Sequence, residues 1–229
     1  MPAALTGPIR VQEPSGLIGV ISPRGVSLGA KRVPSEWARE VRRLLAAPEA
    51  TATALDRPAL QLLEPDPGDA VVFSPPRRLR WSSVPGVGRY LLTLEALTDP
   101  VEQIWHPVRD LFLMEVTGTE FSVPAEVNWA PGAVYRWRVQ TGDDRAAAVG
   151  RFRVLSEAQR TRLLAARREL GESRLLRAAI YHSFGLNDAA LTELRILRSR
   201  QPENPALQRA AMNVQADIRR HRAAAEQAG

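Results

Sequence analysis

Residues 25–29, with the sequence GVSLG, have the spacing at which a serine hydroxyl can act as the nucleophile of acyl hydrolysis. In that use Ser27 would stand on a tight turn between a strand and a helix of an α/β sheet. Here Pro34 follows closely, and the next helical pattern starts only after Ser35. The remaining chain lacks the alternation of strands and helices that builds such a sheet. The sequence therefore predicts no enzyme, with a serine hydrolase as the weakest alternative.

The sequence lacks the groupings of residues that metal binding and cofactor binding need. The three histidines, His106, His182 and His221, show neither an i, i+4 pairing nor neighbouring carboxylates. The absence of cysteine excludes disulfides, thiolate zinc sites and cysteine nucleophiles. Since no glycine-rich loop precedes a Lys-Ser or Lys-Thr pair, we expect neither a phosphate cradle nor a cofactor.

Arginines alternate with apolar residues in two predicted strands near residues 134–154. A period of two points the apolar neighbours inward and the guanidinium groups outward. Like charges on adjacent strands cost about 0.2–1 kcal/mol unless an acidic residue such as Glu95 intervenes. This surface is a candidate docking stripe for an acidic partner, and the alternative is a solvated face covered by aliphatic stems. We call it the arginine stripe, and it consists of Arg136, Arg138, Arg151 and Arg153.

Three tryptophans, Trp37, Trp105 and Trp129, fall outside the clear apolar alternation. Exposed tryptophans are strong interface anchors, but each can also cover the edge of a small core. We favour the structural role, with the helix that carries Trp37 packed on the strand-forming part of the chain at residues 58–155.

The strand-forming part of the chain is predicted at residues 58–155. Its apolar residues alternate with a period of two, as in Leu79 and Trp81 or Tyr135 and Trp137, and turn signals such as Pro131-Gly132 separate the runs. Short strands at this spacing favour a β-sandwich.

At Ser156 the apolar period changes to three or four residues, which predicts four helices within residues 156–225. Residues 1–57 are predicted to form a loose arm with one strand at 17–22, one helix at about 35–47 and a linker at 48–57. The expected fold class is therefore multi-domain α and β, with an antiparallel sandwich followed by helical hairpins.

Two segments resemble known families. Trp81, the turn at Pro85-Gly86 and the run PGAVYRWRV at residues 131–139 resemble bacterial fibronectin-type-III-like domains. In such domains the tryptophan fills the core, and Tyr135 would be a corner residue whose hydroxyl ties a strand to a loop.

The second resemblance is to the tetratricopeptide repeat, whose second half is similar to Tyr181, Gly185, Ala190, Leu194 and Pro202. By position, this resemblance implies a partner-binding groove. The groove would be lined by Glu172, Leu175, Ala179 and His182.

These patterns predict a non-enzymatic interaction or scaffold module whose partner is another protein with an acidic surface. The net charge of +6 comes almost entirely from arginine, which keeps nucleic-acid or polyanion binding as the alternative. We expect no membrane insertion and, because the sequence lacks a signal peptide, a cytoplasmic location. The family resemblance instead implies an envelope-associated or regulatory assembly.

Overall fold

The computed structural model describes residues 8–46, 60–65, 71–99, 104–108 and 113–227 of the 229-residue chain. These residues form thirteen strands and five helices, so the protein is mixed α and β. The chain divides into two compact units. The first joins the described part of residues 1–52 to Ala158–Asp217, and the second joins the described part of 53–157 to the last turns of the chain from Ile218. The predicted linker at 48–57 lies outside the described residues.

The first unit opens with a four-stranded antiparallel meander in chain order. Val11, Ile21 and Val26 are its buried side chains, and two-residue turns join its second, third and fourth strands. The expected loose arm with a single strand is therefore corrected, because the strand at residues 18–22 has neighbours on both sides. Each strand is too short to show a clear period by itself. The strands are β1 Ile9–Gln12, β2 Ile18–Ser22, β3 Gly25–Leu28 and β4 Lys31–Arg32.

The described residues also form five helices, of which one follows the meander directly and four lie in the last third of the chain. The first helix buries one face, whose spacing of three and four residues places Trp37, Val41 and Leu44 together. Asn204 caps the last helix through a 3.1 Å bond to the Ala206 amide. The helices are α1 Ser35–Leu45, α2 Glu157–Leu170, α3 Arg174–Ser183, α4 Asn187–Arg200 and α5 Pro205–Gln227.

Hydrogen bonds from distant parts of the chain hold the meander and α1 to the helices of the first unit. Asn213 on α5 donates from Nδ2 to the carbonyl oxygens of Leu44 and Ala46, at 2.8 and 2.9 Å. It thus provides hydrogen-bond donors for carbonyl groups at the C-terminal end of α1, which have no partner within the helix. Gln201 bonds both backbone groups of Gln12 in β1. The N-terminal segment is therefore an integral part of the helical unit, and the three consecutive segments predicted from sequence are grouped differently in space.

The second unit contains two sheets. The smaller is antiparallel, in the order β11-β7-β5, and the larger runs β10-β8-β12-β13-β6 with β9 also paired to β8. One pair, β13 with β6, is parallel, so the expectation of a wholly antiparallel arrangement is corrected. The strands are β5 Leu62–Glu64, β6 Val71–Val72, β7 Arg78–Trp81, β8 Arg89–Asp99, β9 Ile104–Pro107, β10 Met114–Thr117, β11 Glu120–Ser122, β12 Val134–Thr141 and β13 Ala147–Val154.

Both sheets of the second unit contribute to one hydrophobic core. The alternation predicted from the sequence is confirmed, because the inward positions are buried on β7, β8, β12 and β13. Gly150 packs closely there: a Cβ at this position would lie 2.7 Å from Leu62 Cδ1 and 2.8 Å from Trp137 Nε1. The principal core residues are Leu79, Trp81, Tyr90, Leu92, Leu94, Tyr135, Trp137, Val139, Phe152 and Val154.

Candidate interaction surface

The larger sheet of the second unit carries all four members of the arginine stripe on its outward face. Their neighbours on β12 and β13 are buried, so strand alternation directs the guanidinium groups away from the core. Arg136 is directly opposite Arg151 on β13 and Glu95 on β8. Arg138 is exposed, and Arg153 is half-buried.

Glu95 compensates the charge of Arg136. The Nη2 and Nε atoms of Arg136 lie 2.7 and 2.8 Å from the same oxygen, Oε2, of Glu95. The two side chains are only 24% and 19% exposed, so water screens the pair weakly. The like charges of Arg136 and Arg151 therefore face each other with an acidic group beside them.

Trp105 on β9 joins two of these arginines into one cluster. The Cζ atoms of Arg136 and Arg151 lie 4.6 and 5.0 Å from the centroid of the Trp105 ring. Guanidinium groups at this distance are attracted by the electron-rich face of the indole, and the attraction is worth about 0.5–2 kcal/mol for each contact. The indole ring and the two guanidinium groups thus form one cluster on the outward face of the larger sheet.

The Arg151 guanidinium is affected by its surroundings. Burial, followed by the charge of Arg136, lowers the pKa of Arg151. Because an arginine normally titrates far above neutral pH, Arg151 keeps its charge under physiological conditions.

Arg138 and Arg153 differ from Arg136, because neither has an acidic partner within the part of the chain that the structure describes. On the outer face of the smaller sheet, by contrast, the arginines are paired with carboxylates. There Arg78 and Arg80 each lie 3.4–3.8 Å from both Glu64 and Glu120. One outer face of the second unit is therefore neutralised internally, and the other keeps excess positive charge.

The four residues assigned to a helical groove do not line an open surface together. Leu175 and Ala179 are buried, at 2% and 1% exposure, on the helix α3 that packs against α1. Glu172 is exposed, and His182 Nε2 lies 2.8 Å from Asp217 Oδ2. The position-by-position transfer from the repeat family expected both apolar residues on an accessible surface, but they are buried on a helix that packs against α1 and α4.

Ser27 does not stand on a strand-to-helix turn. It lies within β3, opposite Val20 on β2 and Arg32 on β4. A nucleophile elbow needs its serine at the end of a strand, where the hydroxyl projects from the sheet. The geometry of the GVSLG segment is that of an ordinary meander strand.

Two of the three tryptophans outside the alternation have structural roles. Trp37 is buried and contacts Phe184, with ring centroids 6.4 Å apart, so it packs within the first unit. Trp129 lies 4.8 Å from the ring of Tyr135 in the second unit. Trp105 is the functional candidate that sequence reasoning missed as a neighbour of the arginines. No local signal identified it, because its position depends on the pairing of β9 with β8.

Among the described residues no cluster of histidine and carboxylate side chains could hold a metal ion, and none of the helices there has the length and apolar character to cross a membrane. A scan against protein-family models finds no match to the chain, and a search of curated proteins finds none either.

Proposed function

We propose that the chain is a non-enzymatic interaction module that binds an acidic surface of another protein. The binding surface is the arginine stripe together with Trp105, which we call the Arg–Trp face. The observation that carries this proposal is the contrast between the outer faces of the two sheets. Arg78 and Arg80 are neutralised in place, whereas Arg138 and Arg153 have no acidic partner among the described residues.

The geometry of the cluster favours tight binding over a diffuse attraction. Arg136 and Arg151 are held on the Trp105 ring before any partner arrives. An ordered side chain loses less conformational entropy on binding than a free one, by about 0.5–1.5 kcal/mol for each side chain. Arginine and tryptophan are also the residue types that most often dominate the energy of an interface. Arg138 and Arg153 then supply the charge that the partner's carboxylates neutralise.

The proposed scaffold for this face is a fibronectin-type-III-like sandwich. The strand orders β11-β7-β5 and β10-β8-β12-β13 around one core support it. Tyr135 supports it as well, since its hydroxyl accepts a 2.8 Å hydrogen bond from the Ala130 amide, as the corner tyrosine of such domains does.

The helical part is proposed to be tetratricopeptide-like. The α3–α4 hairpin supports this reading, because its connection turns at Gly185, which has a positive φ of 80°. A role in an envelope-associated or regulatory assembly rests on these resemblances.

An acidic protein fits the Arg–Trp face better than a nucleic acid does. Proteins that bind single strands use aromatic rings on which bases stack. The Trp105 ring already has two guanidinium groups within 5.0 Å of its centroid. A partner that presents carboxylates needs only the outward arginines.

The test is an affinity purification from the native cells with two charge-matched double variants. R138Q/R153Q removes two positive charges from the Arg–Trp face, and R78Q/R80Q removes two from the outer face of the smaller sheet. We expect an acidic protein to be captured by the wild type and by R78Q/R80Q but lost with R138Q/R153Q.

Equal capture by both variants contradicts the proposed face. Purified components then separate the alternatives, because retention on heparin at about 150 mM salt, near physiological ionic strength, without a protein partner would make the chain a polyanion binder. Circular dichroism melts of both variants establish that each remains folded.

A further inference from the structure

A second concentration of arginines lines a cavity in the first unit, separate from the Arg–Trp face. The cavity has a volume of about 350 Å³. Arg24 enters it from the turn between β2 and β3, Arg32 from β4, and Arg42 from α1. These three side chains come from three different elements, so the fold itself gathers them.

Among the residues that the structure describes, none that lines the cavity is acidic. The structure gives Arg24, Arg32 and Arg42 no carboxylate partner within the described ranges. The carboxylates of α1 are Glu36 and Glu40, and neither lines the cavity; Glu36 pairs with Arg162 at 3.2 Å. Three arginine side chains that line one cavity give it positive charge, and an anion that binds there would be attracted by that charge.

The wall formed by α1 suits an anion for two further reasons. Ser35, Ala38 and Arg42 follow one helical face at spacings of three and four residues, so the small Ala38 leaves room between the hydroxyl and the guanidinium group. The helix also begins without a side-chain cap, which leaves the amides of its first turn free of a side-chain acceptor. The positive end of the helix dipole adds to the field of the arginines.

We propose that this cavity, the Arg24–Arg32–Arg42 pocket, binds a small molecule that carries a phosphate group. A tetrahedral phosphate offers enough oxygens to accept bonds from three guanidinium groups at once, and planar guanidinium forks match its geometry. The volume is at the lower end of the range for small-ligand sites, which suits one or two phosphate groups with a small organic part.

Pyrophosphate and inorganic phosphate are the probes for the test, titrated into the full chain at constant ionic strength. Backbone NMR shifts report the site, and the melting temperature reports the affinity, because a ligand that binds only the folded state stabilises it. We expect shifts of the Gly25, Arg32 and Ser35 amides and a rise in melting temperature with probe concentration.

R32Q/R42Q should bind the probes at least about tenfold more weakly, since charge-assisted hydrogen bonds are lost. The matched control is R39Q/R43Q, which removes the same charge from exposed positions of α1 outside the pocket. Equal weakening in both variants, or no shift at the three amides, would overturn the proposal. Arg24 lies in the turn between β2 and β3, outside α1 and the strands, so weaker binding by R24Q at an unchanged melting temperature without probe excludes misfolding as the cause.

Discussion

The buried carboxylate of Glu13 accepts a 2.5 Å hydrogen bond from the hydroxyl of Ser173, a residue 160 positions later in the chain. The same carboxylate accepts bonds from the amides of Arg174 and Leu175, at 2.9 and 3.2 Å. These groups belong to the first turn of α3, whose amides have no partner within the helix. The beginning of the chain thus completes a helix that lies near its end.

Replacement of Glu13 should destabilise the first unit. E13A removes the acceptor of three donors, two of them in buried hydrogen bonds, and we expect the free energy of unfolding to fall by about 2–4 kcal/mol. Chemical denaturation followed by circular dichroism measures the change. E36Q is the control, because Glu36 and Arg162 form an exposed pair that should contribute less than about 1 kcal/mol. Similar losses in the two variants would show that Glu13 is not a cap.

Any side chain at position 150 should lower the stability of the second unit. A methyl group there would meet Leu62 and Trp137 at distances that carbon atoms do not adopt, so the core must shift. We expect G150A to cost about 1–3 kcal/mol of stability. G88A, where the added Cβ meets nothing within 4 Å, should change stability by less than about 1 kcal/mol. A neutral G150A would contradict the packing described for the second unit.

The hydroxyl of Tyr135 should contribute about 1 kcal/mol, through its bond to the Ala130 amide. Its contribution also depends on pH. Burial, opposed by the hydrogen bond from Ala130, raises the pKa of Tyr135 above the ordinary value of 10.0. Above that pH the unfolded chain loses this proton first, so the stability from this group is complete below pH 10 and falls as the pH rises further.

Comparison of Y135F with the wild type isolates this effect, because phenylalanine has no hydroxyl to ionise. We expect the stability difference to be constant from pH 7 to about pH 9 and to shrink above about pH 10. Urea denaturation at each pH measures it. A difference that grows with pH would mean that the folded state favours the ionised tyrosine.

Removal of the Trp105 ring should weaken partner binding through the loss of order in Arg136 and Arg151. We expect W105A to bind the captured partner about tenfold more weakly, and W105F, which keeps an aromatic face, to lose less. Titration of each purified variant with the partner gives the dissociation constants. Wild-type affinity in W105A would remove Trp105 from the proposed face.

Sequence reasoning succeeded where a property depends on neighbours along the chain. The outward direction of Arg136 and Arg151 follows from the buried residues on either side of them, and the helical rhythm after Ser156 follows from local spacing. The cap at Asn204 is likewise a local feature, because the amide that it accepts from lies two residues later.

Features that depend on pairing between distant segments could not be predicted in this way. Trp105 meets the arginines only because β9 pairs with β8, and Glu13 meets α3 across most of the chain. The packing of α1 against α3 likewise joins two segments that the sequence places far apart. Neither the spacing of apolar residues along the chain nor a helix-capping residue carries information about contacts between distant segments.

A photo-crosslinking amino acid at position 138, compared with the same residue at position 80, tests the Arg–Trp face most directly. Both positions are exposed on outer faces of the second unit, but only Arg138 belongs to the proposed surface. Irradiation of native cells should give one discrete adduct with an acidic protein from position 138 and none from position 80. No adduct from position 138, or the same adduct from both positions, would contradict the proposal.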